Sequence, residues 1–151
     1  MRSAFAIAVA AVLLLAGCAD ETGAPTGSET IEESDGGIGA VDGDSYASLA
    51  EFKDAFVASG QTCGDFVQDD AIPSAAESGW CDQTWGLSTY ASVDDRNAVL
   101  ELNTTGIEHL PFIVGPNWLL TAVESRSTPD LSAVQPTLGG LLWDSTQPIP
   151  E

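Results

Sequence analysis

Basic residues are scarce in this chain. Of its 151 residues, four are lysine or arginine and 23 are aspartate or glutamate, so the formal net charge is −19. Such a surface repels the phosphates of nucleic acids and the headgroups of anionic lipids, and we expect no nucleic-acid partner. Three interpretations of the acidity remain: solubility, capture of a basic protein partner, or loose collection of divalent cations.

Histidine and cysteine are also rare, which limits the chemistry available. His109 is the sole histidine, and neither a Cys-x-x-Cys nor a Gly-x-Ser-x-Gly motif occurs. A zinc site needs three or four nitrogen, sulfur or oxygen ligands, and a serine or cysteine nucleophile needs a base within hydrogen-bond reach. We therefore predict no catalytic residue, no metal site and no cofactor. A small cell-wall hydrolase is the least favoured alternative.

Two pairs of adjacent acids are the remaining candidates for glycosidase chemistry, Asp69-Asp70 and Asp94-Asp95. Adjacent side chains point apart on a strand and diverge on a helix, so neither pair provides two carboxylates that face one substrate. Asp94 and Asp95 are better explained as first-turn acids that complement a helix dipole.

The chain lacks an apolar run long enough to cross a membrane. Residues 4–16 are mostly apolar, whereas a spanning helix needs about 20 such residues. A positive charge at the start, a short apolar segment and small residues at its end are typical of a cleaved export signal. The end of this segment, Leu15-Ala16-Gly17-Cys18, resembles the lipobox of bacterial lipoproteins.

This resemblance implies a lipid anchor on Cys18. In that family the cysteine sulfur takes a diacylglyceryl group and cleavage before it removes the signal, here residues 1–17. Two acyl chains suffice for stable attachment, whereas one is marginal. The resemblance thus implies a protein held at the cell membrane through the lipid on Cys18 and facing the extracytoplasmic side. An ordinary secretory signal that contains a cysteine is the alternative.

Residues 18–47 have the composition of a disordered tether. The stretch 19–45 carries eight acids, no base and almost no large apolar residue. It cannot bury enough apolar surface to offset the entropy lost on ordering. About 27 flexible residues span roughly 30 Å, so the folded part is expected to stand away from the membrane.

Three helices are predicted within residues 48–143. Capping patterns at Ser48, Ser92 and Thr128 mark their starts, and Pro129 suits the first position of the third. The residues expected to face inward are Leu49, Phe52, Phe56 and Val57 in the first helix, Val99 and Leu102 in the second, and Leu131, Val134 and Leu138 in the third.

Strands are predicted over residues 84–90 and as two short segments of 110–123 that flank a Gly115-Pro-Asn turn. Together with the helices, they indicate one small α+β domain, with about three antiparallel strands and two to three helices on one face. The tail, residues 144–151, is expected to be loose.

Cys63 and Cys81 are predicted to form a disulfide. With Cys18 assigned to the lipid, they are the two thiols left in the oxidising environment after export. The bond would close a loop of about 18 residues and contribute about 3 kcal/mol in the chain-entropy model. It would tie the end of the first helix to the approach to the first predicted strand. The loop between them is rich in acids and continues to Glu77.

Aromatic residues are the best candidates for a binding surface. Trp80, Trp85, Tyr90 and Trp118 are expected to cluster near the disulfide and the Gly-Pro-Asn turn. An exposed cluster of this kind stacks on sugar rings or anchors a protein partner, and core packing is the alternative. Trp143 is either a latch onto the domain or part of a contact surface.

The domain also resembles small uncharacterised actinobacterial lipoproteins, through its two cysteines, Gly115-Pro-Asn-Trp118 and Leu138-Gly-Gly140, over residues 48 to about 142. That resemblance implies no activity. We predict a membrane-anchored, exported lipoprotein with a non-catalytic binding or shielding domain of unknown ligand. The alternative is an acidic inhibitor or immunity-type protein, whose formal charge of −20 without Arg2 would meet a basic enzyme or toxin.

Overall fold

The computed structural model describes residues 41–107, 109–123 and 129–151, which form helices on a six-stranded sheet. The elements are α1 (Leu49–Ala58), β1 (Phe66–Asp69), β2 (Glu77–Cys81), β3 (Trp85–Thr89), α2 (Val93–Thr105), β4 (Phe112–Val114), β5 (Trp118–Ala122), α3 (Leu131–Leu138) and β6 (Leu141–Trp143). The strand order is β1-β2-β3-β5-β4-β6, and all neighbouring strands are antiparallel. The predicted α+β class is confirmed, but the sheet has twice the predicted number of strands.

The three additional strands lie where the local pattern is weak. β1 and β2 occupy the segment that we read as a loop, and β6 is only three residues long. Gly79 in β2 reads as a turn residue, yet a Cβ there would lie 2.7 Å from the Phe66 ring of β1. A glycine suits this position because the Phe66 side chain lies against it, which the sequence does not reveal.

The sheet is covered on both faces. Residues of β3 and β5 alternate between the faces, as in any strand. On the first face, α1 and α3 pack over Trp85, Leu87, Trp118 and Leu120. On the second face, Leu100 of α2 joins a separate cluster with residues of β4, β5 and β6. The prediction that the helices cover one face is therefore wrong.

The first two helix starts are confirmed. Ser48 caps α1 by accepting a hydrogen bond from the backbone N–H of Glu51 at 3.2 Å, and Ser92 caps α2 by accepting from Asp95 at 3.1 Å. The third helix is capped by Asp130 rather than by Thr128. Thr128 itself lies outside the described residues.

Two of the residues predicted to face inward do not do so. Val57 is 43 % exposed, and Leu102 is 57 % exposed. In α2 the buried positions are Arg96, Leu100 and Asn103. This stripe includes an arginine, so a search for apolar residues alone places the buried face wrongly.

The disulfide between Cys63 and Cys81 is confirmed, with the two Cα atoms 4.8 Å apart. Cys81 is fully buried at the end of β2, in the first-face core. The bond holds the segment before β1 against the sheet. The carboxylate of Asp82 reinforces this link by accepting from the backbone N–H groups of Gly64 and Asp65.

The last residues assigned to the tether pack on the domain. The backbone carbonyls of Asp42 and Asp44 accept hydrogen bonds from the Gly140 N–H and the Trp118 indole N–H. The backbone N–H and C=O of Tyr46 both bond to the side-chain amide of Asn117. Residues 1–17 and the rest of the tether, 18–40, lie outside the described part of the chain. Within that part, no helix is long and apolar enough to cross a membrane.

The tail is docked rather than loose. The Trp143 indole donates to the Pro148 carbonyl at 3.0 Å, and the Arg96 guanidinium donates to the Pro150 carbonyl at 3.0 Å. Ile149 packs against the second-face cluster. Trp143 is 1 % exposed, so it latches the chain end onto the domain. The prediction failed because both donors come from outside the tail.

Candidate functional site

A groove of about 620 Å³ lies on the second face of the sheet, between the C-terminal half of α2 and residues 71–73. Its apolar walls include Ile72, Val99, Leu102, Leu110, Phe112 and Leu119. None of its described lining residues carries a charge. We call this feature the groove. It exists because α2 covers only part of the second face.

Trp80 forms one wall of the groove as a fixed aromatic surface. Its indole lies over Gly86, since a Cβ at that position would come within 3.2 Å of the ring. The indole N–H donates to the Asp69 carboxylate at 3.0 Å, which fixes the ring direction. A smaller depression on the far side of Trp80 is lined by Val67, Gln83 and Val123. Apolar surface therefore continues past the groove.

Two hydroxyl groups lie at the floor of the groove. Ser88 and Tyr90 point to the same face because they are two residues apart on an extended segment. Their oxygen atoms are 2.9 Å apart, and both residues are buried. The other polar side chains of the lining bind the backbone: Thr121 donates to Pro111, and the Asn103 amide bonds both backbone groups of Leu110.

The floor of the groove is uncharged at physiological pH. Burial raises the pKa of Tyr90 to about 12, against the opposing effects of the Ser88 hydrogen bond and the Arg96 charge. The phenol therefore keeps its proton. The groove is neutral, although the protein around it is strongly acidic.

Arg96 lies near Tyr90, but its guanidinium donates all its hydrogen bonds to other parts of the protein. It is 1 % exposed, and burial lowers its pKa. It donates to the carbonyls of Gly115, Pro116 and Pro150 and twice to Asn97. These five bonds account for all five guanidinium N–H groups. Arg96 thus joins α2, the Gly-Pro-Asn turn and the tail, and has no donor left for a ligand.

The structure separates the four aromatic residues that we predicted as one surface. Trp85 and Trp118 point to the first face and pack against Phe56 and Phe52, with ring centroids 5.3 and 4.7 Å apart. Trp80 and Tyr90 point to the second face and line the groove. The alternation of β3 signals that Trp85 and Tyr90 lie on opposite faces, but it does not signal which neighbours they meet.

The other candidates for chemistry do not meet in the groove. Asp94 and Asp95 are first-turn acids of α2, as expected, and Asp69 holds the Trp80 ring. His109 is exposed, and its Nδ1 lies 3.0 Å from the Asn103 carbonyl oxygen. Among the described residues, no group of three or more histidine, cysteine or acidic residues is positioned to hold a metal ion.

Comparisons with protein-family models, with curated proteins and with solved structures give no match to this chain.

Proposed function

We propose that this protein is a membrane-anchored, exported lipoprotein whose folded domain binds an uncharged, largely apolar small molecule in the groove, without catalysis. The observation that carries the binding proposal is an apolar groove whose described lining residues carry no charge, in a chain with 23 acids. Sites for small ligands are mostly apolar, have a few placed polar groups and measure about 300–1,000 Å³. The groove has each of these properties.

The anchoring part of the proposal is supported by Leu15-Ala16-Gly17-Cys18 and by the apolar segment before it. Replacement of Cys18 by Ala is expected to remove the lipid mass and to release or mislocalise the protein. Mass spectrometry and membrane fractionation measure these two effects. Unchanged membrane retention, with no lipid on the wild-type peptide, contradicts the proposal.

The binding part is tested with N-phenylnaphthylamine, a neutral apolar dye that fluoresces when it leaves water. The full chain with Cys18→Ala is titrated with the dye, with and without Leu102→Asp. Leu102 lines the groove and is already 57 % exposed, so the substitution places a charge on the wall at little cost to folding. We expect binding to weaken about tenfold, because an apolar ligand against this charge desolvates it.

Val57→Asp is the matched control. Val57 is a half-exposed apolar residue of α1, and it does not line the groove. Dye binding should be the same with and without this substitution. Equal weakening by Leu102→Asp and Val57→Asp, or no saturable binding at all, contradicts a ligand site in the groove.

The acidic-inhibitor alternative has one observation in its favour. Arg96 is buried, so Lys53 is the single cation at the surface of the described residues, and it lies 3.8 Å from Asp54. The surface is thus more acidic than the composition indicates. A basic partner recovered by crosslinking in the native cell should dissociate as salt rises, since exposed charges are screened. A partner that stays bound at high salt argues against this function.

A further inference from the structure

We propose that the ligand of the groove is a neutral single-chain lipid, and that its polar end is an uncharged acceptor oxygen held by the Ser88–Tyr90 hydroxyl pair. This inference rests on the proposed function of the groove and specifies the chemical class of its ligand. Three features of the groove support it: an unused hydroxyl proton, the absence of a free cationic donor among its described lining residues, and the apolar walls.

The hydroxyl pair holds one more proton than it uses. Each hydroxyl can donate one hydrogen bond and accept two. The 2.9 Å contact between Ser88 and Tyr90 consumes one of the two protons, whichever oxygen donates. No acceptor among the described residues takes the other. A ligand that displaces solvent from the floor of the groove must supply an acceptor for this proton, since a buried donor left without a partner costs free energy.

The neighbouring polar groups are already bonded within the protein, so the hydroxyl pair is left to donate to a ligand. The Trp80 indole N–H is bound to Asp69, and the Thr121 hydroxyl is bound to the Pro111 carbonyl. Tyr90 remains a phenol because its pKa is raised to about 12. It therefore keeps a proton to share at every physiological pH.

The acceptor must be uncharged. A carboxylate at the floor of the groove would leave water without gaining a hydrogen bond from a cation, since Arg96 has committed all five of its N–H groups. A buried, unpaired charge is strongly disfavoured. The net charge of −19 adds a repulsion that acts on any anion at long range.

The walls fit an apolar chain. From the hydroxyl pair, apolar contact continues along Leu119 and Phe112 on the sheet and along Val99 and Leu102 on α2. These side chains offer dispersion contacts and no hydrogen bond. An ester carbonyl or a hydroxyl with one hydrocarbon chain therefore suits both the floor and the walls.

The experiment compares three ligands that share one chain length: decane, methyl decanoate and decanoate. Displacement of N-phenylnaphthylamine from the full chain with Cys18→Ala gives the three affinities. We expect methyl decanoate to bind about fivefold to tenfold more tightly than decane, which is the usual effect of one added hydrogen bond. Decanoate should bind more weakly than the ester by at least about tenfold.

The variant Ser88→Ala with Tyr90→Phe removes both hydroxyls and keeps the shape of the floor. It should bind decane at least as tightly as the wild type does and lose the preference for the ester. Equal affinity of the wild type for decane and methyl decanoate overturns the inference, and this comparison needs no variant that must fold. A preference for decanoate, or an ester preference that the double variant keeps, also overturns it.

The outcomes also separate this inference from the proposed function. If decane and methyl decanoate displace the dye equally and Leu102→Asp weakens both, the groove binds apolar ligands but the hydroxyl pair does not select them. If neither the dye nor any of the three ligands binds, the proposed function itself fails. If the dye binds in the groove and none of the three ligands displaces it, only this inference fails.

Discussion

Arg96→Met removes the buried link between α2, the Gly-Pro-Asn turn and the tail. Methionine has a similar length and no donor, so the substitution leaves the carbonyls of Gly115, Pro116 and Pro150 without their partner. The contacts to Gly115 and Pro150 are fully buried. Water cannot replace the lost donors there unless the turn or the tail moves.

The expected loss follows from the number of bonds. A hydrogen bond from a charged donor contributes about 1.5 kcal/mol or more, net of desolvation. Three such bonds to the main chain give about 4.5 kcal/mol, a large part of the stability of a small domain. The melting temperature should fall by roughly 20–35 °C. Arg96→Lys keeps the charge but lacks the planar fork of donors, so it should lose about half as much.

Urea unfolding, followed by circular dichroism, measures the free energy of unfolding of each variant. The control is Val93→Met, an exposed position on the same helix, which should change stability by less than about 0.5 kcal/mol. Deletion of residues 147–151 should reduce the effect of Arg96→Met by about 1.5 kcal/mol, because the bond to the tail is then already absent. If Arg96→Met is as stable as the wild type, the cost of burying the guanidinium cancels its hydrogen bonds, and Arg96 contributes no net stability.

Three further predictions concern other parts of the fold. Replacement of Cys63 and Cys81 by alanine should lower the free energy of unfolding by about 3 kcal/mol, since the bond closes a loop with a sequence separation of 18; an unchanged urea midpoint contradicts this. The pKa of Tyr90 is raised to about 12 when folded, so stability should fall by about 2–3 kcal/mol as pH rises from about 10 to about 12, where only the unfolded state loses the proton. The free energy of unfolding of Tyr90→Phe, measured with urea, should lack this part of the decrease over the same pH range. An identical decrease in the variant is evidence against the raised pKa of Tyr90. Gly115→Ala would place a Cβ 1.8 Å from the Trp118 ring, so the turn or the ring must move; unaltered tryptophan fluorescence and melting temperature contradict that contact.

Features encoded in a few neighbouring residues could be predicted. Ser48 and Ser92 cap their helices because the acceptor and the N–H that it binds are three residues apart. The turn at Gly115 predicts a strand on each side, and β4 and β5 are found there. The disulfide followed from the count of cysteines, with Cys18 set aside for the lipid.

The groove could not be predicted, because its parts come from distant segments. Residues of β3 form its floor, and α2 forms one wall. Trp80 of β2 and residues 71–73 form another wall, and they belong to a stretch that we predicted as a loop. The same stretch also contains β1 and β2, and Gly79 of β2 lies against the Phe66 ring of β1. The local composition of this stretch indicates turns. It does not predict a strand whose formation depends on pairing with another strand.

From the sequence alone come the acidic composition, the apolar segment before Cys18 that resembles an export signal, the α+β class and the pairing of Cys63 with Cys81. The accessibility of the aromatic residues and the burial of Arg96 become apparent once the fold brings distant segments together. Arg96 is charged and therefore reads as a surface residue, yet its carbonyl partners are 19, 20 and 54 residues away along the chain. Burial of a polar group depends on the partners that folding brings to it.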